Sequence, residues 1–579
     1  MNYTVITAKL VARTAVHIGS GEGNDVTDAL LRRDAQSWPL IPGTAIGGAL
    51  RTLATRLAPR LDFGYCAVLA DNKEDRQKSC SCAVCHLFGD VNPSDREGME
   101  SEKKTASAAS RLLVFNAAPI GILPRVFIRD GVGIDRVTGA AARAGSVKFD
   151  LEALPAGTEF QLRMELRDAS PQDEQLLAAV LSEWQAGRVW LGGRVARGLG
   201  AFCLVNLEYR THALDTAAGL LAFLKQDEPW TMARLQPDWL EGRLATIQIK
   251  PPDPPKPFIA QRWVTVEGVL QAEGPLLTHD ASSSGRSGFD HAPLLAQWGD
   301  WQSPVLTGAG LRGVLRSHAE RLARTLATLQ AAGKDDFLRR CPACDPNARN
   351  NDKQKPLSLE SCDSLLKKAD VSGEMEAGED SLCLACRLFG SARRGSRLIV
   401  EDAPYYPTAT QSKPVLKMLD FLAIDRFTGG GADGFKFDAL ALWRSAFTLR
   451  LHLDNPEPWE LGWLALVLRD LAEGWLSAGF GAAKGFGRVQ LTDWSMKFGY
   501  LDKTDSLGLA QLGNGLKDGL YTWVEIAGQS GTWLNLAESW VQQFVAKVQA
   551  FERSESIQLR QDSYFGQPAE KLYCKEVPL

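Results

Sequence analysis

Apolar and polar residues alternate from Tyr3 to His17 and again from Trp263 to Leu270, the period-two pattern of a half-buried strand. Each run gives way to a loop rich in glycine, aspartate and serine, then to apolar positions at helical spacing. That helix passes through Leu50 and Leu53 in the first half, and through Leu311, Val314, Leu315, His318 and Leu322 in the second. A second helix follows late in each half, where Leu177, Val180, Leu181 and Trp184 match Leu464, Val467, Leu468 and Leu471. Core packing explains these positions fully. A glycine-rich turn and a last strand, 201–205 and 488–491, close both halves. Strand, helix, strands, helix, strand is the ferredoxin-like order, also used by RNA-recognition domains. The fold class expected is therefore α+β, as two tandem ferredoxin-like (RRM-like) domains.

The two halves share words as well as rhythm. Ile41-Pro42-Gly43-Thr44 through Leu50-Arg51 is answered by Leu306-Thr307-Gly308 through Leu315-Arg316, and Cys82-Ala83-Val84-Cys85-His86-Leu87-Phe88-Gly89 by Cys383-Leu384-Ala385-Cys386-Arg387-Leu388-Phe389-Gly390. Ile134-Asp135-Arg136 recurs as Ile424-Asp425-Arg426, Lys148-Phe149-Asp150 as Lys436-Phe437-Asp438, and Arg197-Gly198-Leu199-Gly200 as Lys484-Gly485-Phe486-Gly487. Five blocks in one order mark a duplication. Between the halves, residues 250–257 carry five prolines, which deny the segment both helix and central strand. The expected division is a first domain over 1–248, a linker over 249–258, a second domain over 259–500 and an extension over 501–579. Insertions at about 60–110 and 330–395 interrupt the domains and hold most cysteines. The extension has no counterpart in the first half, and its helix near Trp540, Phe544, Val548 and Phe551 reads as a packing or docking face.

Composition narrows the class of protein. With 45% hydrophobic and 23% charged residues, 579 residues suffice for more than one large core. The N-terminus lacks a basic stretch followed by an apolar run, and no apolar stretch reaches membrane-spanning length, so a cytoplasmic protein with no membrane partner is expected. A net charge of −4 argues against a nucleic-acid partner unless cations converge locally. Arg136, Lys148, Arg194, Arg197, Arg426, Lys436 and Lys484 all lie in or beside repeated blocks, which is where such convergence would arise.

Eleven cysteines, an odd number gathered in two clusters, fit reduced thiols holding metal better than a disulfide framework. Cys341-Pro342-Ala343-Cys344 and Cys383-Leu384-Ala385-Cys386 are two C-x-x-C knuckles, the spacing that aims paired thiolates at one tetrahedral zinc. Cys362 between them is a spare or an alternative ligand. In the first half the expected set is Cys66, Cys80, Cys82 and Cys85, with His86 able to replace one of them. Four ligands leave no open position, so two structural Zn2+ per chain are expected.

The ordered blocks resemble the repeat-associated mysterious proteins, the RNA-binding backbone of type III CRISPR effector complexes. The likeness spans residues 1–210 and 258–500, and is nearest in form to type III-D subunits in which two such domains are fused. The resemblance implies a chain lying along a guide RNA and its paired target RNA, beside neighbouring backbone subunits and the large subunit. It also implies an aspartate on the loop between first strand and first helix that cleaves target RNA. Asp28 and Asp290 stand at comparable distances before their helices and are the expected catalytic pair, with Asp25 and Asp280 as rivals. One carboxylate can serve as base or hold a divalent ion, Mg2+ or Mn2+, that acidifies the attacking 2′-hydroxyl. The Ile-Asp-Arg and Lys-Phe-Asp blocks resemble the family's thumb hairpin, which wedges between guide and target. The RNA-binding set expected is Arg51, Arg136, Lys148, Arg194, Arg197, Arg316, Arg426, Lys436 and Lys484. Two other functions compete: a non-catalytic scaffold, and a processing endonuclease for precursor guide RNA. The second ranks lower, because such enzymes rely on a histidine base and no histidine pair occupies equivalent loops of both copies. His17, at a strand end, reads as a packed histidine.

Overall fold

The computed structural model describes residues 2–66, 80, 82–90, 109–121, 125–136, 139–142, 148–214, 216–225, 234–251, 258–280, 288–298, 301–346, 361–363, 382–392, 394–513 and 515–552. Most of the proline-rich linker, residues 252–257, lies outside them, as do large parts of both insertions.

The first half is built on β1 (Asn2–Ala12), α1 (Gly43–Leu57), α2 (Ala83–Phe88), β2 (Leu112–Val114), β3 (Phe127–Val132), β4 (Lys148–Ala153), β5 (Glu159–Arg167), α3 (Pro171–Gln185) and β6 (Ala201–Ala213). Its antiparallel sheet runs β2-β5-β1-β6, the ferredoxin-like order with the first strand in the middle. The hairpin β3–β4 forms a two-stranded sheet of its own, joined by a single parallel bridge from Leu151 to Ala29 of the loop after β1, and interrupts the path from β2 to β5. Helix α3 begins in a capping box, Ser170 and Asp173 each accepting the other's backbone amide, and Pro171 at its first position fits the unpaired first turn. Ile46, Leu50 and Ala54 of α1 join Leu177, Val180, Leu181 and Trp184 of α3 over the sheet residues Ile6, Leu10, Phe160 and Leu162, all buried.

The second half repeats this plan with β7 (Arg262–Ala272), α4 (Gly308–Gln330), α5 (Leu384–Phe389), β8 (Leu398–Val400), β9 (Leu416–Ile424), β10 (Gly431–Trp443), β11 (Ala446–Asp454), α6 (Pro458–Ala472) and β12 (Val489–Tyr500). Its sheet is β8-β11-β7-β12. The copies agree down to one irregularity: β1 slips register against β6 between Thr7 and Lys9, and β7 against β12 between Glu267 and Val269. Beyond Tyr500, β13 (Tyr521–Ala527) adds to the edge at β12, and α7 (Gly531–Gln549) lies along α6, stacking Phe544 on Trp463 with centroids 5.1 Å apart.

The halves meet head to tail. Arg13, Arg129 and Arg136 of the first reach Glu401 (2.8 Å), Asp402 (2.7 Å) and Glu320 (3.0 Å) of the second. Gly198, in the left-handed region at φ 97°, lies flush on Gly308 at the start of α4; a Cβ on either would collide with the other's backbone. Trp190 packs on His452, and Trp263 of the second half together with Leu501, Leu520 and Tyr521 of the extension complete the first half's core. None of the described helices is long and apolar enough to cross a membrane.

Candidate nucleic-acid interface and metal clusters

The loop after β1 carries Asp28 to the base of the β3–β4 hairpin. There the Asp28 amide donates to Asp150 Oδ1 (2.8 Å), and the Asp150 amide donates back to Asp28 Oδ2 (3.0 Å). The second half repeats the exchange: the Asp290 amide to Asp438 Oδ1 (2.8 Å), the Asp438 amide to Asp290 Oδ2 (3.0 Å). A carboxylate has about four acceptor positions, so one bond to an amide anchors the loop without exhausting either group. A third acid stands across each hairpin, because Asp130 is the register partner of Asp150 and Asp420 that of Asp438. Burial pushes the Asp130 carboxyl up, opposed by Lys148 and reinforced by Asp150 and by Asp280 of the second half. Lys436 sits 3.4 Å from Asp420. Each copy thus gathers three aspartates and one lysine.

Cations flank both clusters. Arg194, from the late glycine-rich loop, lies over the Phe149 ring at 3.9 Å. Burial and the neighbouring Arg197 hold its guanidinium below the usual range, while Asp28 pulls the other way. Lys484 lies over Phe437 at 4.9 Å and Phe480 at 5.2 Å. A cation above an aromatic face leaves its donors directed outward, suited to phosphate oxygens. Lys148, Arg197, Arg426, Lys436 and Lys484 are exposed. Beside the second cluster, the rings of His279 and His291 stand 4.8 Å apart, and burial together with His291 lowers the His279 pKa.

Two four-thiol clusters lie within the insertions, Cys66, Cys80, Cys82 and Cys85 in the first and Cys344, Cys362, Cys383 and Cys386 in the second. In each set every sulfur is within 4.8 Å of the others; Cys66 and Cys85 stand 3.3 Å apart, and Cys344 and Cys386 3.5 Å. Tetrahedral Zn–S bonds of about 2.3 Å place sulfurs about 3.8 Å apart, so both sets fit Zn2+. Cys82 and Cys383 have the same backbone angles, φ −66° and ψ 159°, and each caps the short helix that follows. Burial and neighbouring thiols push Cys85 up to about 12, a penalty a bound cation relieves.

A family model of the RAMP superfamily matches residues 9–203 and 275–490. The chain belongs to the RAMP superfamily. The two matched stretches are the two ferredoxin-like halves, which makes the chain a fused tandem RAMP protein and RNA the ligand class that membership assigns to it, in CRISPR-associated complexes. No curated protein sequence matches the chain closely enough to add a relative.

Within this RAMP pair, four expectations need correction. Cys341 is outside the second four-thiol set: it ends the helix over Lys334–Arg340 and its thiol donates to the Ala343 carbonyl at 3.3 Å, while Cys362 completes the cluster. Arg51 and Arg316 face sulfur rather than an open surface, Arg51 Nη2 lying 3.3 Å from Cys85 Sγ and the buried Arg316 3.6 Å from Cys386 Sγ. Four thiolates on Zn2+ carry two net negative charges, which explains one arginine per cluster. Arg136 spends its guanidinium on Glu320 across the domain junction, with its side chain only 12% exposed. His86 is no substitute ligand, since its Nδ1–H donates to Asp173 and its Nε2 accepts from Arg111. His17 is packed as expected, its Nδ1 2.7 Å from the Glu152 carbonyl.

The aspartates that partner Asp28 and Asp290 carry their own signals in the sequence, one of repetition and one of spacing. Asp150 and Asp438 end the repeated Lys-Phe-Asp, and Asp130 and Asp420 each stand five residues before the aspartate of Ile-Asp-Arg.

Proposed function

We propose that the chain is a guide-RNA-binding backbone subunit of a type III CRISPR effector complex, and that it cleaves complementary target RNA once per domain, at Asp28 and at Asp290. The observation that carries this reading is the duplicated exchange between Asp28 and Asp150 and between Asp290 and Asp438. It holds an exposed acid at the root of each thumb hairpin, among cations able to receive phosphates. Splaying the target over the hairpin would bring one ribose 2′-hydroxyl in line with its phosphorus, and such alignment supplies much of the rate. The aspartate then accepts the hydroxyl proton, giving a 2′,3′-cyclic phosphate and a 5′-hydroxyl. Paired carboxylates also suit Mg2+ or Mn2+, which would lower the pKa of that hydroxyl. Arg194 and Lys484 would hold the RNA backbone beside the acids.

A scaffold without cleavage is the second reading, because the same exchange is enough to pin each loop to its hairpin. Mapping cuts in end-labelled complementary RNA with the assembled complex separates the two. Asp28→Ala should remove one product and Asp290→Ala the other, each by about a hundredfold or more. Uncut target in the wild type leaves the scaffold; loss of both products from one substitution refutes independent sites.

A further inference from the structure

The two halves share one frame around the aspartate loops, and three side chains break the likeness. Next to Asp28 and Asp290, Ala29 and His291 make the same parallel bridge, to Leu151 and Ala439. Gly19 and His279 make the same antiparallel bridge, to Leu31 and Pro293. In the late glycine-rich loops, the amides of Gly193 and Phe480 donate to the equivalent carbonyls of His17 and Leu277. His279, His291 and Phe480 therefore stand where the first half has glycine, alanine and glycine. Their rings meet, with the His291 centroid 4.8 Å from that of His279 and 4.6 Å from that of Phe480. All three are half-buried, and Phe437, stacked on Phe421 at 4.7 Å, backs them at 5.7 Å from His291. The first half fills the same space from beneath. A Cβ on Gly19 would come within 3.1 Å of the His17 ring and one on Gly193 within 3.2 Å, and that ring is 6% exposed and tied to the Glu152 carbonyl. Phe149, the counterpart of Phe437, carries Arg194 above it.

We infer that His279, His291 and Phe480 form a stacking platform for one unstacked base of the target RNA, present in the second half only; the inference rests on the backbone-subunit reading. Every nucleobase presents a flat π face, so a platform of this kind holds a base without choosing among the four. Three further features suit that ligand. Lys484 stands 5.2 Å from the Phe480 centroid, where it can take the phosphate attached to a stacked base. Burial and His291 hold the His279 pKa down, so near neutral pH its ring is an uncharged stacking face and not a phosphate contact. Asp290 precedes His291 on the same loop, so a base held here keeps its ribose beside the carboxylate. In the first half the corresponding base would meet a buried histidine and a guanidinium. The second linkage is then gripped at base and phosphate, and the first at phosphate alone.

An abasic scan of the target tests this in the assembled complex, with Asp28→Ala and Asp290→Ala present throughout so that bound RNA stays whole. Complementary targets, each lacking one base in turn, are bound to this parent complex and to one whose platform carries the first half's residues (His279→Gly, His291→Ala, Phe480→Gly). Affinities are read by filter retention. The platform variant should bind about tenfold more weakly than its parent for every target but one. For the target whose missing base falls on the platform, the two should bind alike. A ratio of affinities that stays constant along the whole scan, at any value, overturns the inference. Phe480→Leu keeps the packed volume and loses the ring, which guards against misfolding of the triple variant. Its ratio should be smaller and should vanish at the same single position; a uniform ratio overturns the inference here too. Cut mapping on the unsubstituted complex judges the nuclease reading separately: a complex that shows the single exception yet never cuts keeps the platform and loses the nuclease. A complex that retains no complementary RNA removes both.

Discussion

Cys341 and Cys362 differ in consequence although both are buried thiols near the same knuckles. Because Cys362 sits in the four-sulfur set and Cys341 turns to the Ala343 carbonyl, Cys362→Ser should lower zinc from two ions per chain toward one, and Cys341→Ser should leave two. Metal analysis after gel filtration reads this directly; equal losses from both would contradict the assignment. The choice between these residues was not legible in the sequence, since a C-x-x-C spacing names a turn and not the direction of each Cβ. The first set, Cys66, Cys80, Cys82 and Cys85, was legible because its members leave no spare thiol nearby. Charged residues behaved in the opposite way. Recurrence at paired positions marked Arg51, Arg316 and Arg136 as important, but recurrence cannot distinguish an arginine that meets phosphate from one that meets sulfur or a buried glutamate. Arg197 and Lys484 align in sequence, yet Arg194 rather than Arg197 stacks on the phenylalanine that corresponds to the one under Lys484.

Among the elements, the first and last strands and the two helices of each half could be read from the pattern of apolar residues, although burial runs unbroken over Leu176–Trp184 and over Trp459–Leu468 instead of marking one face. The hairpins β3–β4 and β9–β10 could not be read in this way. In the second half, β9 exposes Met418, Leu422 and Ile424, and Phe427 at the tip is 100% exposed, so the usual link between apolar residue and core fails there. The extension reads better: Trp540, Phe544 and Val548 recur at helical spacing and are buried along one side of α7. Phe544 is sandwiched against Trp463 of α6, so Phe544→Ala should cost about 3–5 kcal/mol of stability. Urea unfolding should show this as a lower midpoint for the second half, whereas the exposed Leu534→Ala on the same helix should change little.

At the scale of the whole molecule, the junction contains a group that registers acid. His452 is buried between Trp190 of the first half and Trp263 of its own, beside the Thr265 hydroxyl. Burial lowers its pKa to about 3, against about 6.5 in an unfolded chain. Between those values the unfolded chain binds a proton that the native chain refuses, so this site's contribution to stability is intact above the window and shrinks as pH falls through it. Urea midpoints measured across the window should fall with acidity, and His452→Gln should flatten that slope; an unchanged slope would remove His452 as its source. The bare contact of Gly198 with Gly308 bears on the same junction in another way. Two backbones touching without side chains between them leave no cushion to compress, so a hard stop stands where two tandem domains could otherwise hinge. The two acidic clusters are thereby kept at one set separation, like teeth on a single gear.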